Sequence, residues 1–355
     1  MAHPATLIPG DGIGPEVTSA ARRVLEATGV QLEWDVRDAG SAAYDGTGEA
    51  LPEATLASVR ERHVALKGPT ANRPEYRSVS VRLRAELDLP AGIRPSRSYP
   101  GVAGAREGTD VVIVRMNRED HTRALEFAAG EPNTDRLRAL IREAHGVDVP
   151  PDAAVAARTL STTEVRRVAE TAFAYARARG RRRVTAVHKA AVLKTTDGLF
   201  VETVREVASR HPDVEFDDTL VDNACHLLVR EPARFDVLVL PALYGDIVSD
   251  VAAACAGSIG LAPGANVGPE NAIFEAVHGT ASRHAGRDSA NPLGLVLSGA
   301  MMLEHLGEGE AAARLHDAVS DLLAEGQTVT ADVSRTGRSA TTSAVADALV
   351  RRLVA

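Results

Sequence analysis

Four groups of residues in this sequence combine type and spacing in ways that could do chemistry. Asp246 and Asp250 stand four apart in Tyr244-Gly245-Asp246-Ile247-Val248-Ser249-Asp250. At helical spacing two carboxylates share a face, repel unless something neutralises them, and can together hold one hard divalent cation. Helix capping would explain Asp246 but not Asp250. Asp222, in Val221-Asp222-Asn223-Ala224, is a third candidate ligand that by itself reads better as a helix cap. Lys189, in Val187-His188-Lys189-Ala190, follows a buried strand, where desolvation or nearby charge can tune an amine for proton transfer. Out of context it reads as a surface lysine. Arg84, Arg94 and Arg115 form the third group. Arg115 ends a continuous apolar run, a poor place for a charge unless it faces an anion, and the planar guanidinium fork grips carboxylates in pairs. Converging arginines suit a di- or tricarboxylate; taken singly, each is explained by solvation. The last group is Gly10-Asp11-Gly12-Ile13-Gly14-Pro15-Glu16, a glycine cluster between a strand and a helix. Its spacing is G-x-G-x-G, not the dinucleotide fingerprint, so a tight turn and a cradle for an anionic ligand are equally good readings.

The elements that must position these groups alternate between short β-branched runs and longer helical stretches, an α/β pattern. Ala5–Ile8 reads as a buried strand, and residues 15–28 as a helix with Pro15 at its first position and Gly29 past its end. Further strands are expected at 110–114, 184–187 and 236–240. Ser161 and Glu164 form a capping box before a helix whose apolar positions are Val165, Val168, Ala169, Ala172, Phe173 and Ala176. Arg181-Arg182-Arg183 reads as a solvated turn after a helix end at Gly180. The polar stretch from Gly130 to Asp152 has weak periodicity and reads as an arm or long connection.

The chain has 355 residues, 45% of them hydrophobic and 3% aromatic, with 40 Lys and Arg against 48 Asp and Glu. That composition excludes disordered and collagen-like architectures, and a net charge of −8 argues against a nucleic-acid surface. No apolar run approaches the roughly 18 residues of a membrane helix, and the amino terminus carries no signal-peptide core, so a cytoplasmic location without a membrane partner is expected. Cys225 and Cys255 offer neither a disulfide framework nor metal-ligand spacing.

In order along the chain, Gly10–Glu16, Lys67-Gly68-Pro69, Leu83–Leu89, Arg94-Pro95, Lys189, Asp222, Gly245–Asp250, Gly260–Asn266, His278-Gly279-Thr280-Ala281 and Ala290-Asn291-Pro292 resemble the β-decarboxylating dehydrogenases of isocitrate, 3-isopropylmalate, homoisocitrate and tartrate. The resemblance is closer to the isocitrate type and covers nearly the whole chain. It implies a two-domain fold, with a large cofactor-side domain from residues 1–98 and 250–355. A smaller dimer-forming domain would span 99–249, with an arm at about 130–155. It further implies a homodimer with shared active sites. Asp246 and Asp250 of one subunit and Asp222 of the partner subunit would hold Mg²⁺ or Mn²⁺. Lys189 of the partner subunit, directly or through Asp222, would take the hydroxyl proton of a 2-hydroxy acid as hydride leaves C2 for the nicotinamide. Arg84, Arg94, Arg115, Ser78 and Ser80 would contact the substrate. Ile13, the segment His278–Ala281, Asn291 and Arg335 would contact the dinucleotide.

Departures from the family pattern refine these expectations. The tyrosine that usually supplies a late proton is replaced by Thr122, leaving His121 or water for that role. The loop after Pro69 is short and glycine-free, and carries Arg73 and Arg77, with Arg82 in the next helix. Together with Ser78 these suggest a distal anion on the substrate, disfavour 3-isopropylmalate, and point to homoisocitrate-like or phosphonate-bearing malates. Ala191 and Ala242 replace asparagines near the nicotinamide. Ser282-Arg283-His284 stands where NAD-using members carry an acidic residue, which suits the 2′-phosphate of NADP, with NAD as the alternative. The expected activity is NADP- and metal-dependent oxidative decarboxylation of an isocitrate-like 2-hydroxy acid. Oxidation without full decarboxylation, as for tartrate or malate, 3-isopropylmalate oxidation, and a non-catalytic regulatory subunit are the alternatives.

Overall fold

A computed structural model describes residues 2–354. Its strands are β1 (His3–Ile8), β2 (Leu32–Val36), β3 (Val64–Lys67), β4 (Ala91–Arg97), β5 (Asp110–Met116), β6 (Leu125–Phe127), β7 (Val155–Ala157), β8 (Arg183–His188), β9 (Glu215–Leu220), β10 (Val237–Leu240), β11 (Ala265–Val267) and β12 (Ala272–Glu275). Ten of them form one sheet in the order β2-β1-β3-β12-β11-β4-β5-β10-β8-β9, while β6 and β7 pair separately. The two flanks of the sheet are parallel. They meet through the antiparallel pairs β12-β11, β11-β4 and β4-β5. Strands such as Val64-Ala65-Leu66 and Val237–Leu240 are apolar throughout because helices cover both faces of the parallel flanks.

The apolar cores divide in the same way. Both chain ends contribute Val17, Leu66, Phe274 and Leu303 to one core and Ile8, Leu56 and Leu83 to another. The middle of the chain supplies Val114, Phe173, Phe200 and Val239, with Ile113, Leu228 and Val248 on the opposite face. The helix Gly14–Glu26 carries Pro15 in its first turn and is followed by Gly29 at φ +86°. In the helix Thr162–Ala178 the Ser161 side chain accepts from the Glu164 amide, and the buried residues are the six that the spacing indicated. Among the described residues no helix is long and apolar enough to cross a membrane.

Two expectations need correction. Residues 130–152 are not an irregular connection: Pro132–His145 is a helix, with Pro132 in its first turn and Gly146 capping its end in the left-handed conformation. Only Thr134 of this helix is buried, so the burial that makes apolar periodicity visible is missing. Arg181–Arg183 is not a solvated turn either. Arg181 bridges Asp110 at 2.7 Å and Asp236 at 3.0 Å, and Arg183 pairs with Glu215 at 2.8 Å. Acidic residues at the amino ends of neighbouring strands convert a charge run into a set of ties. Asp236 also accepts from the Arg182 amide, and β10 begins one residue after it.

Candidate active site

Charged side chains gather where the parallel flanks meet, at the carboxyl ends of β3, β12 and β5. Crevices at such ends are the ordinary ligand sites of open α/β sheets. Lys67 and Glu275 are the last residues of β3 and β12 and face each other in register. Lys67 Nζ donates to Glu275 Oε2 at 2.6 Å, and Arg84 Nη2 donates to Oε1 at 3.0 Å. Asn266 Nδ2 donates to the same Oε1 at 2.8 Å and is itself held by Asn117. Ser80 adds a long contact of 3.4 Å. Desolvation opposes the charge on Glu275, but Lys67 and Arg84 outweigh it and hold the carboxyl far below the usual range.

Beside this group, Asp246 on the helix Ala242–Cys255 faces Arg94 Nη1 at 3.0 Å and Arg115 Nη1 at 2.5 Å through Oδ1, and His121 Nε2 at 3.2 Å through Oδ2. Despite burial, His121 and the guanidinium groups keep this carboxyl well below its usual range. The Arg115 side chain is 1% exposed. Gly245 makes that burial possible: a Cβ there would lie 2.4 Å from Arg115 Cβ, so only glycine lets the helix approach β5 this closely. The Arg115 Nη1 contact with Asp246 is misaligned for a hydrogen bond, so Arg115 Nε and Nη1, together with Arg84 Nε, are buried donors without an acceptor in the protein. Arg84 and Arg94 line a cleft with Lys67, Pro69, Thr70 and His278. Guanidinium donors of this kind fit an oxyanion ligand.

Asp250 lies one turn from Asp246. Burial and the Asp246 charge raise its pKa against the pull of Arg94, the environment in which a cation would be favoured. Lys189 and Asp222 are brought together, the ammonium donating to Asp222 Oδ1 on the surface. That contact lowers the Asp222 pKa. Asp222 sits in the first turn of the helix Val221–Arg230, whose N-cap is Leu220, so it is not the cap. Among the described residues no three His, Cys, Asp or Glu side chains are grouped to hold a metal. One chain therefore carries Asp246-Asp250 and Lys189-Asp222 as two separate half-sets.

The remaining candidates fall as follows. In the turn Asp120–Arg123, His121 reaches Asp246, while the Thr122 hydroxyl donates to the Glu119 carbonyl at 2.7 Å. Ser78 is the N-cap residue of the helix Val79–Glu86 without a capping side-chain bond. Arg73 pairs with Asp45 at 2.7 Å and Arg82 pairs with Glu49, so both anchor their own segments; Arg77 is exposed. In the glycine loop, Gly10 and Gly12 have positive φ, and a Cβ on either would meet the Pro69 or Thr280 oxygen at 2.2 Å. Those oxygens accept from the Asp11 and Ile13 amides. The loop is thus a tight turn locked to two neighbouring segments. Asn291 is fixed by Asp332 and by the Leu293 amide. His278 Nδ1 contacts the Gly279 oxygen, its Nε2 is buried without a partner, and burial lowers its pKa. Gly279, Ala281, Arg283, His284 and Arg335 are exposed.

Sequence reasoning missed Glu275 and Asn117 and used Lys67 and Asn266 only as parts of motifs. The available signal was a charge closing each of two wholly apolar strands, Val64–Lys67 and Ala272–Glu275.

Residues 5–349 match the isocitrate/isopropylmalate dehydrogenase sequence family. The chain belongs to this family. It is 40% identical to isocitrate dehydrogenase [NAD] catalytic subunit 5, mitochondrial, of Arabidopsis thaliana over 98% of this chain and 88% of that one. It is also 41% identical to 3-isopropylmalate dehydrogenase of Archaeoglobus fulgidus, over 90% of this chain and 91% of the relative. The crystal structure of isocitrate dehydrogenase from Methylococcus capsulatus superposes with a TM-score of 0.91 at 42% identity, covering 99% of this chain and all of that one. Isocitrate/isopropylmalate dehydrogenases are decarboxylating enzymes acting on CH–OH donors with a divalent metal and NAD or NADP.

The buried Lys67-Glu275 pair gives a direct prediction. Glu275→Gln leaves the Lys67 charge, 1% exposed, without its counter-charge, which costs on the order of 3–5 kcal/mol at neutral pH. Because the folded pKa of Glu275 is depressed, its contribution is fully present above the unfolded value, about 4.3, and fades as strong acid protonates the folded form. Urea titrations of both proteins at pH 7 and at pH 3 check this: the gap must be largest at pH 7. Equal stabilities there exclude the interaction.

Proposed function

We propose that the protein catalyses oxidative decarboxylation of an isocitrate-like 2-hydroxy tricarboxylate, with NADP and Mg²⁺ or Mn²⁺, as a homodimer with shared sites. The observation that carries this is the convergence of Arg84 and Arg94 on one cleft, with Arg84 Nε buried and without a hydrogen-bond acceptor, and with Arg115 buried close by against Asp246. The pairing of Arg73 and Arg82 with acidic residues favours a substrate of isocitrate size over a bulkier phosphonate. The division of the apolar cores supports domains at 1–98 plus 250–355 and at 99–249.

Asp246 and Asp250, with Asp222 of the partner subunit, are the residues for the cation; their oxygen donors and the raised pKa of Asp250 fit one. A cation held there would supply Lewis-acid polarisation of the C2 oxygen, and a bound nicotinamide would supply the acceptor for the C2 hydride. Arg84, Arg94 and Arg115 hold the carboxylates, and Ser78 and Ser80 lie toward the distal one. Lys189 of the partner subunit takes the hydroxyl proton, its own Asp222 keeping it oriented. His121 stands at the site in place of Thr122 and delivers the late proton. His278, Gly279, Thr280, Ala281 and Asn291 shape the dinucleotide site, with Ile13 packed beneath them.

Three outcomes test this reading. Asp246→Asn abolishes turnover while leaving a folded dimer, as does excess chelator with the native protein; activity undiminished in either case removes the metal assignment. Arg283 and His284 have no ion-pair partner among the described residues and support a 2′-phosphate contact, whereas the Arabidopsis relative is named as an NAD enzyme. Arg283→Asp shifts kcat/KM from NADP toward NAD about tenfold or more, since a charge-assisted contact contributes roughly 1.5–3 kcal/mol. Equal use of both cofactors before and after the substitution refutes NADP selection. His121→Ala releases more 2-oxo intermediate per decarboxylated product, and Thr122→Ala leaves this partition unchanged; product analysis by mass spectrometry distinguishes them, and the reverse pattern assigns the proton to Thr122.

A further inference from the structure

Arg158, just past β7, touches none of the groups described above, yet it joins the segments that carry them. Its Nη1 donates to Asp197 Oδ1 at 2.6 Å, and its Nε donates to Asp120 Oδ1 at 2.5 Å. Each carboxylate uses its second oxygen on a main-chain amide. Asp197 Oδ2 accepts from Lys189 N at 2.6 Å, and Asp120 Oδ2 accepts from Leu243 N at 2.9 Å. Leu243 opens the helix that bears Asp246, and Asp120 precedes His121. The Asp120 and Asp197 side chains are 1% and 0% exposed, and the Tyr244 ring lies 5.0 Å from the guanidinium.

Asp120 adds an independent observation. It has φ +64° although it is not glycine, a conformation that persists only where surrounding contacts over-determine it. Here its amide donates to the Thr159 oxygen and its carboxylate is held from two sides. A turn needing only that φ is served best by glycine. Asp is among the non-glycine residues that tolerate this φ best, and here both of its oxygens are also engaged, by Arg158 and by the Leu243 amide.

We propose that Arg158 is a positioning residue: the chain Lys189 N, Asp197, Arg158, Asp120, Leu243 N fixes the base-bearing loop and the Asp246-His121 segment in one relation. Under the shared-site reading proposed above, on which this consequence rests, the two segments serve different active sites of the dimer. The clamp then sets what a subunit gives its own site together with what it gives its partner's. Loosening one end loosens the other.

The test uses the full-length dimer with Arg158→Gln, Arg158→Lys and Asp120→Gly, and two readouts. In hydrogen–deuterium exchange, Arg158→Gln raises exchange at both the Lys189 and Leu243 amides while the helix Thr162–Ala178 keeps its protection. With isocitrate, NADP and Mg²⁺, kcat falls on the order of 10²-fold, the scale of a small misplacement of reacting groups, while KM stays within a few-fold. Arg158→Lys recovers part of kcat, since an ammonium can bridge the carboxylates but lacks the fork. Asp120→Gly, which suits the turn, loses kcat as Arg158→Gln does. Unchanged protection, loosening of only one of the two amides, or wild-type kcat in Asp120→Gly overturns the clamp. If mixing Lys189→Met and Asp246→Asn chains restores no activity, the shared-site reading fails, and the paired exchange of the two amides still decides the clamp.

Discussion

The organising constraint is the burial of like-charged guanidinium and ammonium groups along the line where two parallel half-sheets meet. Lys67, Arg84, Arg94 and Arg115 are brought together in a mainly enclosed region, where cations without counter-charge are costly. Glu275 and Asp246 answer that charge, each held as a carboxylate by neighbours that outweigh its desolvation. The compensation is incomplete in a specific way. Arg84 Nε and Arg115 Nε are buried without a hydrogen-bond acceptor, and Asn117 Oδ1 is buried without a donor. Under the proposed function, the carboxylate of the substrate is what would meet those donors.

The sheet topology explains why these groups sit there. Lys67 and Glu275 close the parallel strands β3 and β12, whereas β5 runs antiparallel to them across three antiparallel pairs, so that Arg115, near its end, comes level with Gly92 and Asn266. The antiparallel β11 and β4 join the halves and bring Asn266 and Arg94 across the seam. Helix Ala242–Cys255 closes it, and Gly245 sets the distance. The same glycine that admits Arg115 also sets the approach of the helix carrying Asp246, so the buried guanidinium and the carboxylate pair are placed by one contact.

Much of this was legible in the sequence because local signals and burial agree. The Asp246/Asp250 spacing puts both carboxylates on one helix and the arginine near the end of β5 meets an anion, Asp246, whereas the capping box is half formed: the Ser161 hydroxyl accepts from the Glu164 amide, but the Ser161 amide donates to Glu119. What escaped was non-local. Glu275 is an unremarkable residue until strand register puts it opposite Lys67, and Arg73 and Arg82 looked available because Asp45 and Glu49, decades away in sequence, were not yet their neighbours. The helix Pro132–His145 was missed for the opposite reason: its cap signals were present, but an exposed helix carries no apolar stripe to amplify them.

Of the two readings of the glycine loop, a tight turn and a ligand cradle, the geometry shows the first. Gly10 and Gly12 are needed because Pro69 and Thr280 oxygens stand where Cβ atoms would go, and the amides between them are already donors to those oxygens. The loop ties the segment after β3 to the segment after β12, the two elements whose terminal charges face each other in the cleft. Its contribution to the site is indirect: it fixes the walls, and the exposed Ser282–His284 turn beyond Thr280 is thereby presented at a defined distance from the buried charges. The segments after β3 and β12 are thus joined through the loop by main-chain hydrogen bonds, in addition to the Lys67–Glu275 side-chain pair.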